Sequence, residues 1–179
     1  PISSGLSLRR RICNREDLAP MLQRKICMLG TFAVGKTSLV RRFVESIYSE
    51  KYHTTVGVKI DNKIVRTGKK PLTLMLWDIY GWDDFQALRI EYLRGMSGYL
   101  LVADGTRRST VDDALSIAQS VEKEFARIPF VFLLNKNDLR DEWEVGADIE
   151  KHLAGQGWTV MRSDRKSTRL NSSHGIIGC

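Results

Sequence analysis

The sequence predicts an α/β fold built on a doubly wound, mostly parallel β-sheet. Short apolar runs of strand length alternate along the chain with longer segments whose apolar residues recur at helical spacing. The chain has 179 residues, 42% of them hydrophobic, which suits one domain with a single sheet and a buried core.

The apolar runs predict six strands. The first, Ile26 to Leu29, ends at Gly30. The second and third are separated by a turn at Thr67 to Lys70, and this hairpin-like spacing predicts an antiparallel pair. In chain order the predicted strands cover 26–29, 56–60, 72–76, 98–103, 129–134 and 158–161.

Helical spacing predicts four helices between these strands. The first follows Gly35, and the second covers Phe85 to Arg94. The third, from Val111 to Phe125, is long and amphipathic. A short fourth helix contains Ile149 and Leu153.

The two ends of the chain differ from its middle. Residues 1–20 lack apolar periodicity, and we interpret them as a disordered or non-native extension before a natural start at Met21. Residues 164–179 resemble the translation of a sequencing adapter, and we interpret them as an artefact, the alternative being a genuine disordered basic tail. The domain is therefore expected to cover 21–163 and to be incomplete.

The net charge of +7 raises nucleic acid or an anionic membrane as a partner. Over half of this excess lies in the two end segments, since residues 21–163 hold 21 basic and 18 acidic residues. The basic pairs Arg41–Arg42, Lys69–Lys70 and Arg107–Arg108 lack interleaved aromatic residues, so we expect no nucleic acid partner.

The sequence also does not predict a membrane span, a disulfide framework or a zinc site. No apolar run approaches the ~20 residues of a membrane span, and Cys179 gives no basis for a lipid anchor. Three scattered cysteines do not form a disulfide framework or a zinc site, so a cytoplasmic location is expected.

A phosphate-binding motif lies between the first predicted strand and helix. Residues 30–37 match G-x-x-x-x-G-K-[ST], whose glycines let backbone N–H groups face the phosphates of a nucleotide. We expect Lys36 to reach the β- and γ-phosphates as a catalytic residue, and the Thr37 hydroxyl to bind Mg²⁺. The predicted nucleotide-binding residues here are Gly30, Ala33, Val34, Gly35, Lys36, Thr37 and Ser38.

A second motif, N-K-x-D at 135–138, follows the strand that ends at Leu134. The Asp138 carboxylate can accept hydrogen bonds from guanine N1–H and its exocyclic amine, a donor pair that adenine lacks. Asn135 is expected to brace the phosphate loop, and the Lys136 stem to lie over the base. These residues favour a guanine nucleotide.

The segment W-D-x-x-G at 77–81 follows another strand. Asp78 is predicted to hold Mg²⁺ through water, and the Gly81 amide to meet the γ-phosphate. Thr55, between the phosphate loop and this strand, is predicted to close over Mg²⁺ and the γ-phosphate. Loops that bind only when the γ-phosphate is present define a switch.

In chain order, the phosphate loop at 30–37, the segment 52–57 with Thr55, and the motifs at 77–81 and 135–138 are four motifs. Over residues 24–163 they resemble the Ras superfamily of small GTPases, especially Rab-like proteins and their bacterial relatives. The resemblance implies a P-loop NTPase G domain with a six-stranded sheet, one strand antiparallel, and a GTP/GDP cycle with Mg²⁺. It also implies exchange factors, activating proteins and effectors that bind 48–57 and 79–94. It places Tyr48 against guanine, and it implies a closing C-terminal helix, which we expect to be missing here.

Two departures from the family point to slow hydrolysis. Trp82 stands where the family has a glutamine that orients the attacking water, and indole has one donor and no acceptor. Phe32 and Ala33 stand where many family members have glycine or another small residue, and a phenyl ring there would crowd the space beside the γ-phosphate. A GTP-responsive binding module with negligible hydrolysis is the alternative function, while an ATP-using kinase is disfavoured by the motif at 135–138.

Overall fold

The computed structural model describes residues 22–45, 57–67, 70–79, 90–125, 127–163 and 171–172. Within these ranges the chain forms strands, α-helices and two short 3₁₀ helices. In chain order they are β1 (Leu22–Leu29), α1 (Lys36–Glu45), β2 (Val58–Thr67), β3 (Lys70–Ile79), a 3₁₀ helix (Ile90–Leu93), β4 (Gly98–Asp104), α2 (Ser109–Glu124), β5 (Phe130–Asn135), a 3₁₀ helix (Arg140–Glu142), α3 (Ala147–Gly155), β6 (Val160–Arg162) and β7 (Asn171–Ser172).

The strands form one sheet in the order β2-β3-β1-β4-β5-β6-β7. Strands β3, β1, β4, β5 and β6 run parallel, and β2 runs antiparallel to β3. This arrangement confirms the predicted α/β fold with its mostly parallel sheet. The two residues of β7, which belong to the segment 164–179, pair antiparallel with β6 at the edge.

Two apolar clusters cover the two faces of the sheet, because side chains alternate along each strand. Cys27 and Leu29 of β1 belong to the cluster under α2 and α3, whereas Met28 belongs to the cluster under α1. One side of α2 is buried, which confirms the predicted helical spacing of apolar residues. The buried residues of α2 are Thr110, Val111, Ala114, Ile117, Ala118 and Val121.

Two elements differ from the prediction. Strand β2 continues to Thr67, well beyond the predicted end at residue 60, because it pairs with β3 without interruption through polar residues that the alternation pattern did not mark. The described part of the helix predicted for 85–94 is the 3₁₀ turn at Ile90–Leu93. The described turn ends at Leu93, whose carbonyl accepts from the Met96 N–H at 3.1 Å, and Gly95 follows with a φ of +73°.

No helix within the described ranges is long and apolar enough to cross a membrane. The polar residues discussed below are concentrated where the parallel strands of the sheet end.

The backbone after β4 lies directly against an indole ring. A Cβ on Gly105 would come within 2.1 to 2.5 Å of three Trp143 ring atoms. The Gly105 carbonyl accepts from the Glu144 N–H at 2.9 Å, and the Trp143 indole N–H donates to the Val145 carbonyl at 2.6 Å. Steric contact with Trp143 therefore requires glycine at this position.

We expect Gly105→Ala to lower the free energy of unfolding by about 1–3 kcal/mol, because the added methyl group overpacks the site. In the double variant with Trp143→Leu, the loss should be smaller than the sum of the two single losses, since the clash is gone. Urea unfolding of all four proteins measures this coupling. Additive losses would contradict the steric explanation.

Candidate functional site

Three predicted site residues and Asp104, which was not predicted, meet at the carboxyl ends of four neighbouring strands. Gly30 follows β1, Asp78 lies near the end of β3, and Asp104 and Asn135 end β4 and β5. The register brings the last pair side by side, since Asp104 and Asn135 are partners across the sheet. This edge is where open parallel sheets bind their ligands.

The loop after β1 has a backbone that only small residues adopt easily. Gly30, Ala33 and Gly35 have φ values of 142°, 59° and 100°. A Cβ on Gly30 would lie 2.2 Å from the Val102 carbonyl oxygen, and one on Gly35 would lie 2.3 Å from Asn135 Nδ2. Both glycines are thus required by conformation and by close neighbours. The completely buried Val34 side chain anchors the loop in the core under α1.

Lys36, at the start of α1, lies across this loop. Its Nζ donates to the Gly30 carbonyl at 2.8 Å and to the Thr31 carbonyl at 2.9 Å. Only 6% of the residue is exposed to solvent. The ammonium therefore lies beneath the loop predicted to hold phosphates, while Ser38 is exposed on the first turn of α1.

Asn135 joins the two predicted binding motifs. Its Nδ2 donates to the Val34 carbonyl at 2.9 Å, and its Oδ1 accepts from Ser163 Oγ at 3.1 Å. The Ser163 carbonyl in turn accepts from the Asn137 N–H at 3.0 Å. The contact to Val34 joins Asn135 to the loop at 30–38, and the part of Asn135 in nucleotide binding stays a prediction.

A buried carboxylate that the motif analysis missed lies beside Asn135. Asp104 is 0% exposed, and its Oδ2 contacts Lys136 Nζ at 2.6 Å and Arg107 Nε at 2.9 Å. Its Oδ1 accepts from the Thr106 N–H at 3.0 Å and the Thr106 hydroxyl at 2.8 Å. The sequence signal for this residue is its position, directly after the apolar strand at 98–103.

The pKa of Asp104 reflects two opposed effects. Burial raises the pKa, but the hydrogen bonds from Lys136, Thr106 and Arg107 together outweigh burial, so the pKa lies below its ordinary value. The carboxylate is therefore charged at neutral pH and holds both cations.

Lys136 has a positive φ of 66° and bonds to Asp104 through its ammonium group. That the Lys136 stem covers the guanine base stays a prediction. Its ammonium group is held by Asp104. Asp138, two residues further, is half-buried in the turn after β5.

Asp78 and Thr37 are the described residues of the predicted Mg²⁺ site. Asp78 is 3% exposed, and its Oδ1 has no hydrogen-bond partner among the described residues. Burial raises the pKa of this carboxyl group, while hydrogen bonding from Thr37 and the charges of Lys36 and Lys59 oppose the shift. A buried, unpartnered oxygen near a hydroxyl fits Mg²⁺, which prefers oxygen ligands.

The described residues contain no cluster of three or more His, Cys, Asp or Glu side chains that could hold a metal. A Mg²⁺ ion held here would need further ligands from water and phosphate oxygens. The predicted residues Tyr48, Thr55, Gly81 and Trp82 lie outside the described residues.

Comparison with known proteins gives a consistent picture. The family model described as Ras family matches residues 25–162. The chain is similar to Ras-related protein Rab-1 of Theileria parva, with 33% identity over 134 residues that cover 74% of this chain and 61% of that protein. A GTP-binding protein Rheb homolog of Dictyostelium discoideum is 31% identical over 141 residues, which cover 78% of this chain and 76% of that protein.

Ras-related protein Rab-7L1 of Rattus norvegicus is 31% identical over 163 residues, which cover 86% of this chain and 79% of that protein. The chain spans a smaller share of the two Rab-1 proteins, from Theileria parva and Theileria annulata: 61% of the length of each.

We expect Asp104→Asn to lower the free energy of unfolding at pH 7 by about 1–3 kcal/mol, because the partly exposed Lys136 and Arg107 lose their anionic partner. A carboxyl group with a lowered pKa stabilises the fold above the unfolded pKa and loses this effect as pH falls through the folded pKa. Urea unfolding of both proteins should therefore show a difference that narrows below about pH 4. A difference independent of pH would contradict this account.

Proposed function

Since the chain belongs to the Ras family of small GTPases, we propose that it is a guanine-nucleotide-binding molecular switch that binds GTP and GDP with Mg²⁺ and hydrolyses GTP slowly. The Asn135 side chain carries this proposal. It ties the phosphate loop to the motif at 135–138 through a hydrogen bond of 2.9 Å, so that one ligand with both phosphates and a guanine base would contact both.

The phosphates would be held by the loop at 30–38, where backbone N–H groups and the helix N-terminus favour negative charge. Lys36 supplies the cation beneath this loop. Guanine would be selected by Asp138, with Lys136 and Tyr48 beside the base.

Thr37, Thr55 and Asp78 would hold the Mg²⁺ ion, which neutralises phosphate charge when bound. Asp78 Oδ1, which has no hydrogen-bond partner among the residues that the structure describes, supports this assignment. A buried acceptor without a donor is costly unless a ligand compensates it. Thr55 and Gly81 would respond to the γ-phosphate and make binding state-dependent.

The partners proposed for this chain follow from its family. Effectors, exchange factors and activating proteins would bind residues 48–57 and 79–94, whose loops respond to the γ-phosphate. We also propose a cytoplasmic location and no nucleic acid partner, which rest on the scattered cysteines and on the small basic excess of residues 21–163.

Slow hydrolysis rests on two residues. Phe32 is 69% exposed on the phosphate loop, where its ring would crowd the space that water or an activating arginine needs. Trp82 lacks the acceptor that a water-orienting glutamine supplies. If turnover is negligible, the chain is a GTP-responsive binding module.

Titration with GDP, GTP and ATP, with and without Mg²⁺, tests the proposed function. We expect ATP to bind at least about a hundredfold more weakly than GTP, because adenine leaves the buried polar groups of a guanine site unpaired. Asp78→Asn should weaken Mg²⁺ binding about 10–100-fold, as expected for a group that orients metal-bound water. Equal affinities for ATP and GTP would contradict guanine binding.

Two controls accompany the Asp78→Asn variant. Asp112→Asn, at an exposed position on α2, should leave Mg²⁺ binding unchanged. Because burial raises the pKa of Asp78, its ionised form destabilises the folded chain at neutral pH. Asp78→Asn is therefore expected to unfold at the same or higher urea concentration, which separates lost binding from lost folding.

Single-turnover GTP hydrolysis tests the rate. The parent protein should be slow, and Trp82→Gln should be faster by about 10²–10⁴-fold at most, the range for a group that assists proton transfer in the transition state. Phe32→Gly tests the steric contribution separately. A parent that already hydrolyses GTP fast would refute the argument from Trp82.

A further inference from the structure

An arginine outside the nucleotide-binding motifs contacts the phosphate loop. Arg107 lies between β4 and α2, and its Nη2 donates to the Phe32 carbonyl at 3.1 Å. Its Nε donates to Asp104 Oδ2 at 2.9 Å. One guanidinium group therefore joins the loop after β4 to the loop after β1, 75 residues away.

The anchor of this arginine is rigid. Asp104 is completely buried and is also held by Thr106 and Lys136. A guanidinium is planar with its donors in fixed directions, so an Nε–carboxylate bond also sets where Nη2 points. Arg107 thus presents a fixed donor to Phe32, although its side chain is 44% exposed.

The peptide group that Arg107 contacts also carries the N–H of Ala33. The peptide between Phe32 and Ala33 is trans, like every described peptide bond, so its C=O and N–H point in opposite directions. Fixing the Phe32 carbonyl therefore also fixes the direction of the Ala33 N–H. Ala33 has a φ of 59°, a left-handed conformation that costs a non-glycine residue free energy.

We propose that Arg107 is a positioning residue for nucleotide binding: it holds the Phe32–Ala33 peptide so that the Ala33 N–H faces the phosphates. This inference rests on the proposed function, because Ala33 is among the residues assigned to phosphate binding. Arg107 and Lys136 share the single carboxylate of Asp104, so one positive charge remains uncompensated within this group and favours the bound phosphates.

A purely structural role for Arg107 makes a different prediction. The Arg107 carbonyl accepts from the Thr110 N–H and hydroxyl at the start of α2, and these backbone contacts survive any side-chain substitution. If the side chain only stabilised the fold, its loss would lower unfolding stability and leave nucleotide release unchanged.

The release rate of GDP that carries an N-methylanthraniloyl fluorophore tests the proposal. Arg107→Ala should release this probe about tenfold faster or more, the range for a lost hydrogen bond to a charged group. Arg108→Ala is the matched control. Arg108 is exposed and directly follows Arg107, so this variant removes the same charge at the neighbouring position. It should leave the release rate within about twofold of the parent.

Arg107→Lys separates geometry from charge. An ammonium group lacks the planar fork that spans Asp104 and Phe32. The rate at which Arg107→Lys releases the GDP probe should therefore stay within about threefold of the rate for Arg107→Ala. Full recovery with lysine, or an equal increase in Arg108→Ala, would overturn the proposal in favour of a general charge effect. Urea unfolding without nucleotide checks that each variant is folded. We expect that all of them are, since Asp104 keeps its contacts with Lys136 and Thr106.

The same experiment distinguishes this inference from the function beneath it. A parent protein that does not bind the probe would refute guanine-nucleotide binding itself. A parent that binds it, with a release rate unchanged in Arg107→Ala, would overturn the role of Arg107 alone.

Discussion

The hydrogen bond from Asn135 to the Val34 carbonyl is the contact on which the rest of the site depends. It joins two loops that are about a hundred residues apart in sequence, and the 2.9 Å distance requires β1, β4 and β5 to end at the same level. The amide is satisfied at both ends, because Ser163 donates to its oxygen. A buried amide held in this way has one orientation, which is what a preorganised binding site needs.

The strand ends around Asn135 concentrate polar groups that would be costly elsewhere in the core. Asp104 is compensated by two cations and a threonine. In the described part of the chain Asp78 Oδ1 has no hydrogen-bond partner, and burial raises the pKa of its carboxyl group. This contrast gives the two carboxylates different roles. Asp104 is held in its charged form by its cations, whereas Asp78 is the carboxylate proposed to hold Mg²⁺.

Much of this arrangement was predictable, because local patterns determine strands, helices and the phosphate loop. The sequence pattern also placed Asn135 at a strand end, where its contact with the phosphate loop follows from the fold class. The contacts of Asp104 with Lys136 and of Arg107 with Phe32 were not predictable, since they depend on side-chain geometry between loops that are distant in sequence. The length of β2 was missed because pairing with β3, rather than alternation, sets its end.

The proposed binding and the proposed hydrolysis would depend on different parts of the chain, so the departures from the family need not affect both. Asn135 joins the two proposed binding loops, and Lys36 bonds within the loop at 30–38. Asp104 holds Lys136 and Arg107. Asn135, Lys36 and Asp104 are all buried. Phe32 contributes its backbone carbonyl to this network, while its ring lies exposed. A bulky ring can therefore obstruct the approach of water without disturbing the backbone that holds the phosphates. Because Arg107 contacts that same carbonyl, the phosphate loop can carry Phe32 and the strained Ala33 and still keep one conformation.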